Sequence, residues 1–182
     1  REDARKRLIR ALENTALFGP KTNRDFLIDA LRREAFVEGD ATTAFIAETY
    51  GEAGFVASKP GLPLLCAAAV IQHRLALDGA RKEALGVAAE LLDWSNARHF
   101  NSFVQYVQGE EVLSFEVHPR GQDHYDVRGM DSSLKVHVRD MDGQRCRLML
   151  DGNTAELIFA VDDAGQLHVA GPSASFLVRD VS

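Results

Sequence analysis

The chain has 182 residues, enough for one or two domains with a packed core. Hydrophobic residues make up 46% and charged residues 26%, which excludes a disordered chain, a collagen-like repeat and a disulfide scaffold. The net charge is -6, and the acidic excess lies in residues 99–182; such a surface repels phosphate backbones and argues against nucleic-acid binding.

Residues 1–50 read as helical with sharp breaks. Ala4, Leu8, Ala11 and Leu12 keep helical spacing, and Asn14 and Thr15 end that helix. Gly19-Pro20 breaks the chain again. Thr22 or Asn23 caps a second helix, with Asp25 in its first turn, where the helix dipole favours negative charge. Phe26, Leu27, Ala30 and Leu31 form its expected apolar face, Gly39-Asp40 closes this part, and Thr42 or Thr43 caps one more short turn. The start, Arg1-Glu2-Asp3, has no apolar signal region and no methionine, so the chain reads as a piece of a longer protein.

Residues 51–61 hold three glycines and a proline and read as a linker. Pro63 suits the first turn of a helix over about 62–78. From Leu64 to Leu77 that helix is apolar almost all round, and a helix apolar on every face is buried on every face. Asp78-Gly79 is expected to interrupt it, with a further helical stretch from about Ala80 to Leu92.

From about Phe103 the apolar period becomes two. The inward sets are Leu113, Phe115 and Val117; Leu134, Val136 and Val138; Cys146, Leu148 and Leu150; Ala155, Leu157, Phe159 and Val161; Leu167 and Val169; Phe176 and Val178. Turns are placed at Gly109-Glu110, Arg120-Gly121, Asp131-Ser132, Asp142-Gly143, Gly152-Asn153, Ala164-Gly165 and Gly171-Pro172. The expected fold is α+β: an eight-stranded antiparallel up-and-down β-barrel wrapped around a central α-helix, preceded by a short helical segment. The helix is the only segment apolar enough to fill the inside.

Motifs for chemistry are missing. There is no G-x-G-x-x-G, Walker loop, H-E-x-x-H or G-x-S-x-G. His118, His124 and His137 are close in sequence, but His137 alternates outward with Lys135 and Arg139 and reads as a solvated strand residue. His73 reads as a satisfied core histidine. Cys66 and Cys146 read as buried thiols of a reducing compartment, with no metal-ligand spacing around them. Asp162-Asp163 falls in a hairpin turn, where acidic residues are common. The apolar run from Leu62 to Ile71 is too short to span a bilayer. The aperiodic stretch 92–103 stands apart. Its Trp94, Ser95, Asn96, Arg98, His99, Phe100 and Phe103 combine the residue types that dominate interface hot spots, so it is the candidate partner-binding segment; the alternative is a loop that tucks its aromatics onto the barrel end.

The run Ala11–Leu27, with Asn14-Thr15-Ala16-Leu17-Phe18-Gly19-Pro20, resembles the last part of a biotin carboxylase domain, and Phe36-Val37-Glu38-Gly39-Asp40-Ala41-Thr42-Thr43-Ala44-Phe45 is similar to that family's closing motif. The remainder resembles the domain that follows biotin carboxylase in alpha subunits of acyl-CoA carboxylases acting on propionyl-, 3-methylcrotonyl-, geranyl- or acetyl-CoA. The resemblance implies that 1–50 is the tail of a biotin carboxylase domain and 62–182 a helix-plus-barrel interaction domain, called the BT domain. It implies a hook at residues 92–103 that docks on the carboxyltransferase beta subunit. The biotin carboxylase and biotin carrier domains of the same parent chain are the other implied partners. Biotin, ATP and Mg belong to the parent enzyme, a ligase; the glycine-rich loop and the biotinyl lysine are absent from this chain, so no catalytic, cofactor or metal residue is carried onto it. The implied location is cytoplasmic, or the mitochondrial matrix in a eukaryote. The rival from another class is a small apolar-ligand carrier, since eight-stranded barrels often hold such a ligand; a helix in the lumen argues against it.

Overall fold

A computed structural model describes residues 1–20, 22–83, 101–108, 111–172 and 174–178. Among the described residues five helices precede eight strands: α1 (Glu2–Glu13), α2 (Arg24–Arg32), α3 (Glu34–Glu38), α4 (Phe45–Tyr50), α5 (Leu62–Glu83), β1 (Ser102–Gln108), β2 (Glu111–Gly121), β3 (His124–Gly129), β4 (Ser132–Asp142), β5 (Arg145–Leu150), β6 (Asn153–Val161), β7 (Leu167–Ala170) and β8 (Ser175–Val178). The chain divides into two compact units, Arg1–Lys59 with Ala170–Ser175, and Pro60–Val169 with the strand residues from Phe176 on.

The first unit is small and aromatic. Phe26, Tyr50 and Phe55 meet with ring centroids 5.2–6.0 Å apart in tilted and edge-on arrangements. Phe45 extends the cluster from Tyr50 to Phe36. Phe55 lies in the stretch read as a linker, and its side chain packs within this unit. Asn23 is the N-cap of α2 with Asp25 in the first turn, as expected, although the Asn23 side chain makes no capping bond. Gly39 ends α3 with φ +98°, a left-handed cap in which a residue with a Cβ would be strained. The apolar faces differ from expectation. On α1 Leu8 is 49% exposed and Ile9 is the buried residue; on α2 Leu27 is exposed and Ile28 buried. In helices this short a shift of one residue turns the face by about 100°, and scattered apolar residues do not fix it.

The second unit is the expected barrel. Its strands pair in chain order from β1 to β8, forming a nearly closed antiparallel barrel around α5. Every inward set keeps its buried members: Phe115 and Val117, Leu134, Val136 and Val138, Cys146, Leu148 and Leu150, Leu157 and Phe159, Leu167 and Val169, and Val178. Val161 is the exception, half exposed at the end of β6. The lumen is filled by α5, whose residues Cys66 to Ile71 have no exposed surface on any side. Three alanines among them let the strands approach the helix axis closely.

Two corrections concern α5. Asp78-Gly79 does not interrupt it; the helix runs 22 residues to Glu83, about 33 Å. A glycine inside a helix costs about 1 kcal/mol against alanine, which a long helix tolerates. Asp78 instead pairs with Arg81 one turn on, at 3.6 Å. Nor is the helix buried along its whole apolar length: Leu75 and Leu77 are half-buried and Ala76 is exposed. Beyond Glu83 the expected helical stretch to Leu92 lies outside the described residues.

Four turns sit one or two residues from their expected positions. Gly121 pairs His124, Gly129 pairs Ser132, Asp142 pairs Arg145 and Leu150 pairs Asn153, so the turn residues are Gln122-Asp123, Met130-Asp131, Gly143-Gln144 and Asp151-Gly152. Gln122, Asp123, Met130 and Asp131 all have positive φ, as primed two-residue hairpins require. Bulges place one extra residue in β2, Arg120, and one in β4, Arg139.

Candidate docking surface

Trp94, Ser95, Asn96, Arg98, His99 and Phe100 lie outside the described residues. Phe103, the last residue of the candidate segment, lies on β1. Val104 and Tyr106 point into the core, so strand alternation turns Phe103 and Gln105 outward; the Phe103 ring is 68% exposed. Across the ladder Phe103 stands opposite Glu116, and Glu116 opposite Arg128. Met130, in the β3–β4 turn, is 51% exposed on the same side. Together with Ser114 these residues line an open concavity of about 720 Å³.

Its floor is fixed by close packing. The Phe115 ring lies against Gly129, and any side chain there would overlap the ring and press on the Ser114 carbonyl. Glu116 is held by Asn101, whose Nδ2 donates at 2.9 Å, and its other oxygen lies 3.0 Å from His118 Nε2. Two exposed apolar side chains over charged and hydroxyl groups suit contact with another surface. Its lining sets hydroxyl, carboxylate and guanidinium groups, Ser114, Glu116, Arg128 and Asp131 among them, beside the two apolar side chains. Met130, Glu116 and Arg128 escaped the sequence reading because strand register, not chain proximity, brings them beside Phe103. The turn dipeptide Met130-Asp131 was the available signal.

The remaining candidates have structural employment. His73 Nδ1 and Ser102 Oγ are 2.7 Å apart, so the buried histidine is hydrogen-bonded as expected. Tyr106 OH donates to Gln72 Oε1 at 3.1 Å, and Arg74 pairs with Asp123. These bonds fix α5 to β1 and to the β2–β3 turn. Cys66 and Cys146 are free and fully buried; burial pushes their thiols up to about 12 and about 11, out of the reactive range. Asp162 Oδ1 accepts from the backbone N–H of Ala164 and Gln166 at 3.0 and 2.8 Å, and Oδ2 lies 3.1 Å from His168 Nε2. Those bonds, the Gln166 amide foremost, hold its carboxyl below the usual aspartate range, while Asp163 is exposed. Asp162 is therefore the organiser of the β6–β7 turn. Among the described residues, no three of His, Cys, Asp and Glu gather around a common point, and no helix is long and apolar enough to cross a membrane.

Neither a protein-family model nor a curated protein matches the chain.

Proposed function

We propose that this chain is a non-catalytic assembly module of a biotin-dependent acyl-CoA carboxylase alpha subunit, linking biotin carboxylase to the carboxyltransferase beta subunit. The observation that carries this reading is the barrel itself: an up-and-down eight-stranded wall around a helix that fills its lumen. This is the architecture the resemblance implies for that subunit's interaction domain. The biotin carboxylase-like endings at Ala11–Leu27 and Phe36–Phe45 support it from the sequence side. A lumen occupied by Cys66 to Ile71 leaves a small apolar ligand no place, which weighs against a carrier. The physical logic of such a module is effective concentration: tethering turns biotin transfer between two catalytic parts into an intramolecular event. The module would work where its parent enzyme does, in the cytoplasm or the mitochondrial matrix.

The docking segment is residues 92–103, and Phe103 is its described aromatic member, facing solvent. The test is binding of the purified chain to the carboxyltransferase beta subunit encoded beside the parent gene. Trp94→Ala and Arg98→Ala are expected to cost about 2 kcal/mol each, or roughly thirtyfold in affinity. Wild-type affinity for both variants moves the interface to another face; no binding by the unmutated chain ends the proposal.

A further inference from the structure

The outer face of the barrel carries a row that neither packing nor the docking role uses. His124 on β3 stands opposite His137 on β4, and His137 opposite Met149 on β5. All three point outward: their strand neighbours Tyr125, Val136, Val138, Leu148 and Leu150 fill the core. The two imidazoles stack with centroids 3.8 Å apart and planes 21° from parallel. We propose that His124, His137 and Met149 form a binding site for one soft monovalent transition-metal ion, Cu(I), ligated by two imidazole nitrogens and the thioether sulfur. The proposal stands independently of the docking role.

The donor set is the first argument. Thioether sulfur selects Cu(I) among common ions, and imidazole binds copper well. Carboxylates, which would favour harder ions, are absent from the row. The second argument is spacing. Side chains directly opposite one another in a sheet have their Cβ atoms about 4.5–5.5 Å apart. Two metal–nitrogen bonds of about 2.0–2.1 Å at a tetrahedral angle need nitrogens only a little over 3 Å apart. In the stack, with centroids 3.8 Å apart, the in-plane lone pairs run side by side, so ligation turns both rings about their side-chain torsions out of the stack until the nitrogens converge on the ion. Met149 on the next strand supplies a flexible third arm.

The third argument is orientation. The His124 ring lies with Nδ1 2.8 Å from the Gln122 carbonyl, so Nδ1 carries the proton and Nε2 the lone pair. A second ring nitrogen tied to a carbonyl is the usual support of a ligating histidine.

Charge decides between ions. Arg139, the extra residue of the β4 bulge, lays its guanidinium on Met149 Sδ, with Nη2 at 2.9 Å and Nε at 3.2 Å. Lys135 lies outward on the same strand, and Arg74 pairs with Asp123 next to His124. A divalent ion meets twice the repulsion of a monovalent one in this setting. Arg139 is also the group that an ion must displace from the sulfur.

The experiment is anaerobic competition for Cu(I) between the chain and the chromogenic chelator bicinchoninate, with Zn(II) as comparator. The expected result is one Cu(I) withdrawn per chain, with Zn(II) held more weakly. His124→Asn, His137→Asn and Met149→Leu should each weaken uptake on the order of tenfold or more. Arg139→Gln should strengthen it. These side chains face solvent, so circular dichroism should show all four variants folded. No withdrawal by the wild-type chain overturns the proposal. So does uptake that survives both His137→Asn and Met149→Leu, since that puts the copper elsewhere, the two buried thiols included. Zn(II) held as tightly as Cu(I) refutes the choice of ion.

Discussion

A single buried cation organises much of the N-terminal unit. Arg24 is 4% exposed, and its guanidinium donates to the carbonyls of Leu12 (2.8 Å), Glu13 (3.0 Å) and Gly171 (2.8 Å), to Ser175 Oγ (3.0 Å) and to Asp25 (2.7 Å). Leu12 and Glu13 are the last turn of α1, whose carbonyls have no partner within their own helix. Only a planar five-donor fork can satisfy so many acceptors at once, so lysine is not a conservative replacement. Arg24→Lys is expected to lose about 2–4 kcal/mol, because it strands buried carbonyls and shifts a buried charge. Arg32→Lys is the control: Arg32 is half exposed and its pair with Glu13 is a surface one, worth at most about 1 kcal/mol. Denaturant melts of both variants decide the matter, and equal losses would show that Arg24 is no hub. Sequence patterning offers no route to this residue, since a basic side chain opening a helix reads as solvated.

At the scale of elements, the β6–β7 turn hangs on one carboxylate. Asp162 gathers two backbone amides and His168, while Gly165 takes φ +77° to close the loop. Its pKa in the folded chain is below the ordinary value of about 4. A depressed carboxyl adds stability above its unfolded pKa, and that stability fades as pH falls through the folded value. Asp162→Asn should therefore melt below wild type at pH 7, and the gap should narrow once the pH drops below roughly 4. A gap that stays constant down to pH 3 would mean that the charge plays no part. Strands like those joined here were legible because period two survives in Leu134-Val136-Val138 and Cys146-Leu148-Leu150 whatever the turns do. The turn positions were less so: aspartate and glycine mark a hairpin, but Met130-Asp131 shows that positive φ can fall on the residue before the marker. The bulge residues Arg120 and Arg139 carry no sequence signature, since an extra residue on an outward face leaves the apolar pattern almost unbroken. For the candidate site, Phe103 was legible as an exposed aromatic, but its neighbours Glu116 and Arg128 are set by register.

At the scale of the whole molecule, the barrel and its helix are one core. The stretch of α5 from Leu65 to Ile71 runs through that core, and the strands bring residues such as Tyr106, Phe115, Val127 and Leu157 onto it. The helix was legible because Leu64 to Ile71 is apolar on every side; its end was not, because Asp78-Gly79 imitates a stop signal inside a helix that continues. Ala68 sits at the centre with no exposed surface and is small because the wall is close. Ala68→Asp puts a carboxylate where no water reaches. Leaving it ionised and unpaired costs several kcal/mol, and protonating it carries a cost of its own through the raised pKa. Domain stabilities are about 5–15 kcal/mol, so this one substitution is expected to take most of the margin. Ala76→Asp is its partner experiment: Ala76 is exposed further along the same helix, and the change should move the melting temperature little. Thermal melts of the two variants give opposite answers if the helix is the core of the barrel. An unchanged melting temperature for Ala68→Asp would mean that this alanine faces solvent and that the strands close around something else.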